Sequence, residues 1–206
     1  MRNAREQIVF IVDDDAAVRD SIQELVESVG LQAEGHASAF AFLDSFQPQH
    51  SGCLVLDVRM AAMSGLALQE QLNKRGFKIP VIVLTGHGDV PMAVQAMKAG
   101  AVDFIQKPYR DQALLDSINA ALVLDAAARH SSSVAESLKH QLATLTERER
   151  EVLNQTLTGS TSKEIARELS VSPRTVEAHR QNLLRKLGIG TVKELMLHLV
   201  PQVRDC

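Results

Sequence analysis

The chain has no tryptophan, one tyrosine and only 3% aromatic residues, so no nucleic-acid contact is expected to rest on stacked aromatic rings. Its two cysteines, Cys53 and Cys206, cannot form a disulfide framework, and Cys53 lies in an apolar run where a thiol acts as a small buried hydrophobe. The 11 glycines and 6 prolines follow no period, which excludes collagen-like and low-complexity architectures. No apolar run approaches the roughly 20 residues of a membrane span. The opening segment MRNAREQIVFIVDDD reaches three aspartates after five apolar residues, too soon for a signal peptide. A cytoplasmic protein without a membrane partner is therefore expected.

What is present is ordinary for a folded protein: 45% hydrophobic and 23% charged residues over a length of 206. At a prior of about 150 residues per domain, that length admits one large domain or two small ones. The net charge of −3 conceals an asymmetry. Residues 1–124 carry 10 Lys and Arg against 15 Asp and Glu, a balance of −5, whereas residues 125–206 carry 12 against 10, a balance of +2. An acidic half with its own chemistry and a mildly basic half able to meet an anionic partner fit these values. Ordinary variation between domains fits them equally.

The first half alternates short apolar runs with segments of helical period. Strands are expected at Ile8–Val12, Leu31–Glu34, Cys53–Leu56, Val81–Leu84 and Val102–Ile105. Helical spacing runs from Ala16 to Val29, through Phe42, Leu43 and Phe46, and over Leu66–Lys74, Pro91–Ala99 and Asp111–Leu124. Five strands interleaved with helices imply a parallel sheet covered on both faces, and right-handed crossovers make it doubly wound. From Asp125 to Ala143 the composition shifts to Ala, Ser, His and Gln without Gly or Pro, so a partly helical linker is expected there. Beyond it, Thr146–Glu149, Thr161–Glu164 and Thr191–Glu194 each read Thr-x-x-Glu, the reciprocal capping pattern, and Ser172–Pro173 opens a further helix. These starts define a compact all-helical domain over 144–206.

Ligands of open α/β sheets sit beyond the carboxyl ends of the strands. Those ends carry Asp13 and Asp14 after the first strand, Asp57 at the third, Thr85 at the fourth and Lys107 after the fifth. Gathered carboxylates repel one another and favour a hard cation such as Mg²⁺. Asp57 is the candidate nucleophile, since a carboxylate can attack a phosphoryl group while Mg²⁺ and a lysine neutralise the developing charge. Thr85 could donate its hydroxyl to the new phosphoryl oxygens. One such aspartate is commonly just a helix cap; five positions at one edge are not so readily dismissed.

The strings IVDDD, LVLDVRMAAMSG, LTGHGDVPMAVQAMKAGAVDF and QKPY resemble the receiver domain of two-component response regulators, above all the FixJ subgroup of the NarL/LuxR type. The resemblance covers residues 6–124 and implies a flavodoxin-like (βα)5 receiver domain over 1–124. It implies that Asp57 accepts phosphate from a sensor histidine kinase. It further implies that Asp14, Asp57 and the backbone carbonyl of Arg59 hold Mg²⁺ with support from Asp13. By the same resemblance Thr85 is the switch hydroxyl, Phe104 the switch aromatic and Lys107 the phosphate-binding cation before a cis Pro108. Two positions depart from the family pattern. Ala61 stands where the family usually has Pro, which bears on loop mobility, and Tyr109 replaces the commoner Phe.

In TSKEIARELSVSPRTVEAHRQNLLRKL, Ile165, Ala166 and Leu169 form the inner face of one helix, and Val176, Leu183, Leu184 and Leu187 that of the next. Arg174, Glu177, Ala178, Gln181 and Arg185 remain as an outward polar stripe on the second helix. A short turn between capped helices suits a helix-turn-helix whose second helix enters the major groove. The block from LTEREREVL to KELM, about 142–200, resembles the LuxR-type helix-turn-helix domain. That resemblance makes 173–187 the recognition helix, places Glu177, Ala178 and Gln181 at base edges, and suits Lys163, Arg174, Thr175, Arg180 and Arg185 to phosphates. Glu177 replaces a Lys common in the wider family, and Ser162 a usual Asn.

The reading that follows is a non-enzymatic, phosphorylation-dependent transcriptional regulator that dimerises through its receiver and binds promoter DNA, with RNA polymerase as a further partner. Two alternatives remain. A Mg²⁺-dependent phosphatase with an aspartyl nucleophile usually needs a second acid two residues on, where this chain has Arg59. A receiver that no longer takes phosphate could act through protein contacts alone.

Overall fold

The computed structural model describes residues 7–86 and 90–195. β1 (Ile8–Val12), β2 (Gln32–His36), β3 (Gly52–Asp57), β4 (Val81–Thr85) and β5 (Asp103–Gln106) form one parallel sheet in the order β2-β1-β3-β4-β5. The intervening helices are α1 (Ala16–Ser28), α2 (Ala39–Ser45), α3 (Gly65–Lys74) and α4 (Val90–Lys98). This is the flavodoxin-like doubly wound order, whose direction reverses between β1 and β3.

Why these runs become central strands is visible in their burial. Every residue of β3 and β4 is buried, as a strand covered on both faces requires. Alternate residues then serve opposite cores. Phe10, Val12, Leu54, Leu56, Val81 and Val83 meet Phe42, Leu68, Leu72 and Ala96 of α2, α3 and α4. Val9, Ile11, Cys53, Val55, Ile82 and Leu84 meet Ile22 and Val26 of α1 and, on the following helix, Leu114 and Ile118. α3 begins hard against the end of β3: a Cβ on Gly65 would lie 2.2 Å from the Asp57 carbonyl oxygen, so only glycine fits.

α5 runs from Asp111 to Ala143. Residues 125–143, expected to be partly helical, are helical throughout, because an Ala-rich segment free of Gly and Pro contains nothing to stop a helix. The chain divides into two compact units that change over between His130 and Ser131. Asp125 and Arg129 belong to the first: the buried Asp125 carboxylate accepts from Ser51 Oγ at 2.6 Å, the Gly52 N–H at 2.9 Å and Arg129 Nε at 2.9 Å. The Arg129 guanidinium also donates to the carbonyl of His50.

The second unit contains α6 (Glu147–Leu157), α7 (Ser162–Glu168) and α8 (Pro173–Leu187) around Val152, Leu153, Ile165, Ala166, Val176, Leu183 and Leu187. Thr146 with Glu149, and Thr161 with Glu164, form complete capping boxes, and Ser172 caps α8 ahead of Pro173. The third Thr-x-x-Glu is only half closed: the Glu194 N–H donates to Thr191 Oγ1, but its carboxylate accepts from Gly190 one residue too early. Residues 192–195 are helical. The remainder of that expected helix and Cys206 lie outside the described residues.

Candidate acidic site and nucleic-acid interface

The reversal between β1 and β3 brings one residue from each of several strand ends to a single edge. Asp13 follows β1, Asp57 closes β3, Thr85 closes β4 and Lys107 follows β5; Asp13, Asp57 and Thr85 are buried. Lys107 Nζ donates to Asp13 Oδ2 and to Asp57 Oδ1, each at 2.8 Å. Asp57 Oδ2 accepts the Arg59 N–H at 2.6 Å, and Asp13 Oδ1 the Asp15 N–H at 2.9 Å. The Lys107 N–H donates to the Thr85 carbonyl at 2.7 Å, and the Lys107–Pro108 peptide is cis. Phe104, two residues from the end of β5, is half-buried against the apolar cluster that also includes Met92.

The electrostatics of this edge are unbalanced. Burial pushes the Asp57 carboxyl above the usual carboxylate range despite the opposing pull of Lys107. For Lys107 burial acts to lower the ammonium value, but the carboxylates of Asp13 and Asp57 together raise it above the ordinary one. Asp13 and Asp57 thus share one lysine, with Asp14 adding a third carboxylate at the same edge. A divalent cation would offset the excess, and a donor set made only of oxygens suits a hard ion that retains waters. Among the described residues no three acidic, His or Cys side chains form a ready metal cage. The implied set of Asp13, Asp14 and Asp57 shares an edge without closing on one point, because the Asp14 carboxylate accepts the Ala61 N–H at 2.9 Å. The residue types fit Mg²⁺, which needs only one or two carboxylates.

The sequence alone makes Ala61 the loss of a stiff turn; in the structure it also supplies an N–H, absent from proline, that holds Asp14. Cys53 takes no part in the site; burial pushes its thiol up to about 12 and leaves it inert in the core.

In the second unit, α8 presents Arg174, Glu177, Ala178, Gln181 and Arg185, all exposed, along one stripe. Lys163 is exposed in the first turn of α7, and Thr175 is half-buried beside Ser172, with the two hydroxyl oxygens 2.8 Å apart. Arg180 departs from expectation. Its guanidinium donates to Ser162 Oγ at 2.6 Å, the Ser160 carbonyl at 2.8 Å and Thr156 Oγ1 at 3.2 Å, so in this structure it is occupied within the fold rather than offered to a phosphate. The helical period contains the reason: at about 100° per residue, position 180 lies roughly 120° from the middle of the exposed stripe. Ser162 Oγ in turn donates to Glu177 Oε1 at 3.0 Å.

The family model for the response regulator receiver domain matches residues 9–119, and that for the luxR family of bacterial regulatory proteins matches 143–199. The chain belongs to the two-component response regulators of the NarL/LuxR type, with a FixJ-like make-up. Over 188 residues this response regulator is 48% identical to the transcriptional regulatory protein TdiR of Thauera aromatica, covering 91% of this chain and 83% of TdiR. It is 45% identical to the transcriptional regulatory protein FixJ of Azorhizobium caulinodans over 188 residues, 91% of this chain and 89% of that FixJ. Among solved structures, the response regulator StyR matches with a TM-score of 0.88 at 43% identity, covering 96% of this chain and 99% of StyR. With its receiver and LuxR-type domains and its transcriptional-regulator relatives, the chain is a two-component transcription regulator. The receiver implies a sensor kinase as partner, and the LuxR-type domain implies DNA. No helix among the described residues is long and apolar enough to cross a membrane.

Proposed function

We propose that Asp57 accepts a phosphoryl group from a sensor histidine kinase, and that this modification drives receiver dimerisation and promoter binding. In this reading the receiver spans 1–124, the linker 125–143 and the helix-turn-helix domain 144–206. The observation that carries it is Asp57 itself, buried at the sheet edge with Lys107 Nζ on one carboxylate oxygen at 2.8 Å. A carboxylate oxygen of Asp57 forms the new O–P bond as the N–P bond of the donor imidazole breaks, and the electron pair leaves with that nitrogen. Lys107 stays in place to neutralise charge on the transferred group.

Asp13, Asp14, Asp57 and the Arg59 carbonyl would hold Mg²⁺, which when bound neutralises charge on the phosphoryl oxygens. Thr85, at the end of the neighbouring strand, offers a hydroxyl to those oxygens, and Phe104 on β5 reorients as Thr85 moves. The surface then altered lies on α4 and β5. Val94 and Met97 are exposed there, which supports this face as the dimer contact. In the helical unit, Glu177, Ala178 and Gln181 meet base edges, while Lys163, Arg174, Thr175 and Arg185 take phosphates. Arg180 acts from its internal position. The regulator works in the cytoplasm, with RNA polymerase downstream.

Incubation with acetyl phosphate and Mg²⁺ tests this. Intact-mass spectrometry should find one phosphoryl group on the wild type, sedimentation should find dimers, and Asp57→Asn should show neither. Dimers and DNA binding induced equally in Asp57→Asn would overturn the assignment.

A further inference from the structure

Two positions at which the helical unit departs from the LuxR-type pattern, Ser162 and Glu177, touch each other. We infer that Ser162 is a positioning residue which, oriented by Arg180, presents the Glu177 carboxylate to one cytosine in each DNA half-site. The inference rests on the reading of α8 as the recognition helix.

Glu177 is exposed on α8 and Ser162 is the first residue of α7. An unrestrained surface glutamate samples many rotamers and loses that freedom only on binding. Here Ser162 Oγ donates to Glu177 Oε1 at 3.0 Å. The hydroxyl has one proton, and Arg180 decides where it points: Nη1 donates to Ser162 Oγ at 2.6 Å, occupying a lone pair and turning the proton toward Glu177. Arg180 is itself braced by the Ser160 carbonyl and Thr156 Oγ1. The result is a one-way relay, guanidinium to hydroxyl to carboxylate, of the kind in which successive hydrogen bonds polarise one another.

The relay also explains why an acid is tolerated on a helix that faces DNA. The Arg180 charge stands two bonds away and offsets part of the carboxylate's repulsion of phosphates. Base preference follows from the chemistry of the group. A carboxylate accepts and cannot donate. In the major groove guanine offers N7 and O6 acceptors and thymine its O4, all repelled by a carboxylate. Adenine sets its N7 acceptor beside the amino group, whereas cytosine presents only the N4 amino donor. Cytosine is the base this group selects.

The test uses the full-length chain. Binding sites are selected from a random duplex library, and each base at the selected cytosine is then titrated by fluorescence anisotropy. Replacing that cytosine should weaken wild-type binding about tenfold. Ser162→Ala should reduce the penalty to about threefold, with affinity for non-specific DNA unchanged. Ser162→Thr, which retains the hydroxyl, should restore it. In a Glu177→Ala background, Ser162→Ala should change nothing further. Thermal melting of each variant separates this effect from unfolding. A full penalty in Ser162→Ala, or a cytosine preference that survives Glu177→Ala, overturns the inference while leaving the DNA-binding reading intact. Loss of all sequence-specific binding in the wild type overturns both.

Discussion

The Ala61 N–H bonds Asp14 Oδ2 at 2.9 Å in an exposed loop. A carboxylate held by an N–H must give up that bond, or share its other oxygen, to serve a cation. Ala61→Pro deletes the donor, and the exposed bond is worth about 1 kcal/mol after solvent screening. Calorimetric titration of Mg²⁺ into the unphosphorylated variant should therefore show binding about fivefold tighter. Ala61→Ser, which keeps the N–H, should match the wild type. Glu149 is the second informative residue. Its buried carboxylate bonds Lys186 Nζ at 2.7 Å and the Thr146 N–H at 2.8 Å. Burial acts to raise its pKa, but the Lys186 and Thr146 donors outweigh burial and hold it below the ordinary 4.5. A depressed value in the folded state means stabilisation that is present above about pH 4.5 and lost as pH falls through the lower folded value. Glu149→Gln should cost the helical unit about 2 kcal/mol at pH 7, and the difference should shrink in melts below pH 4.5. At this scale the acidic edge was legible because Asp13, Asp57, Thr85 and Lys107 all sit at ends of apolar runs, where topology gathers them. The inward turn of Arg180 and the Ser162–Glu177 contact were not, since Arg in a basic helical domain looks like a phosphate ligand until its partners in another element are known.

Elements were legible where burial is one-sided or complete. β1, β3 and β4 are apolar runs, and all five strands lie within a few residues of their expected positions; β5, for example, begins at Asp103 and ends at Gln106. α5 exceeds its expected end at Leu124 because the composition change after it contains no residue that ends a helix. The pair Asp125 and Arg129, four residues apart, resembles an ordinary surface ion pair in sequence. Its structural partners, Ser51, Gly52 and His50, are more than 70 residues away and carry no local signal. The Asp125 side chain is 2% exposed, so removal of its cation strands a buried charge. Arg129→Ala is expected to destabilise the receiver by about 3 kcal/mol, read as a lowered receiver melting temperature with the helical unit's transition unmoved.

At the scale of the whole molecule, one chain joins an acidic sheet edge in a receiver to a LuxR-type helical unit. The split of charge between residues 1–124 and 125–206 was only compatible with two jobs, and the family motifs named them. How many copies act together was less legible, because the proposed dimer face offers only a few exposed apolar residues such as Val94 and Met97. Joining two reading helices on one duplex raises apparent affinity without any new contact to DNA. Control of the DNA-binding half by Asp57 is measured most directly by titrating the full chain onto its own promoter, with and without beryllofluoride and Mg²⁺. The wild type should bind at least about tenfold more tightly with beryllofluoride, and Asp57→Asn should not respond. Equal affinity of the wild type in both conditions, or an equal gain in Asp57→Asn, would contradict it.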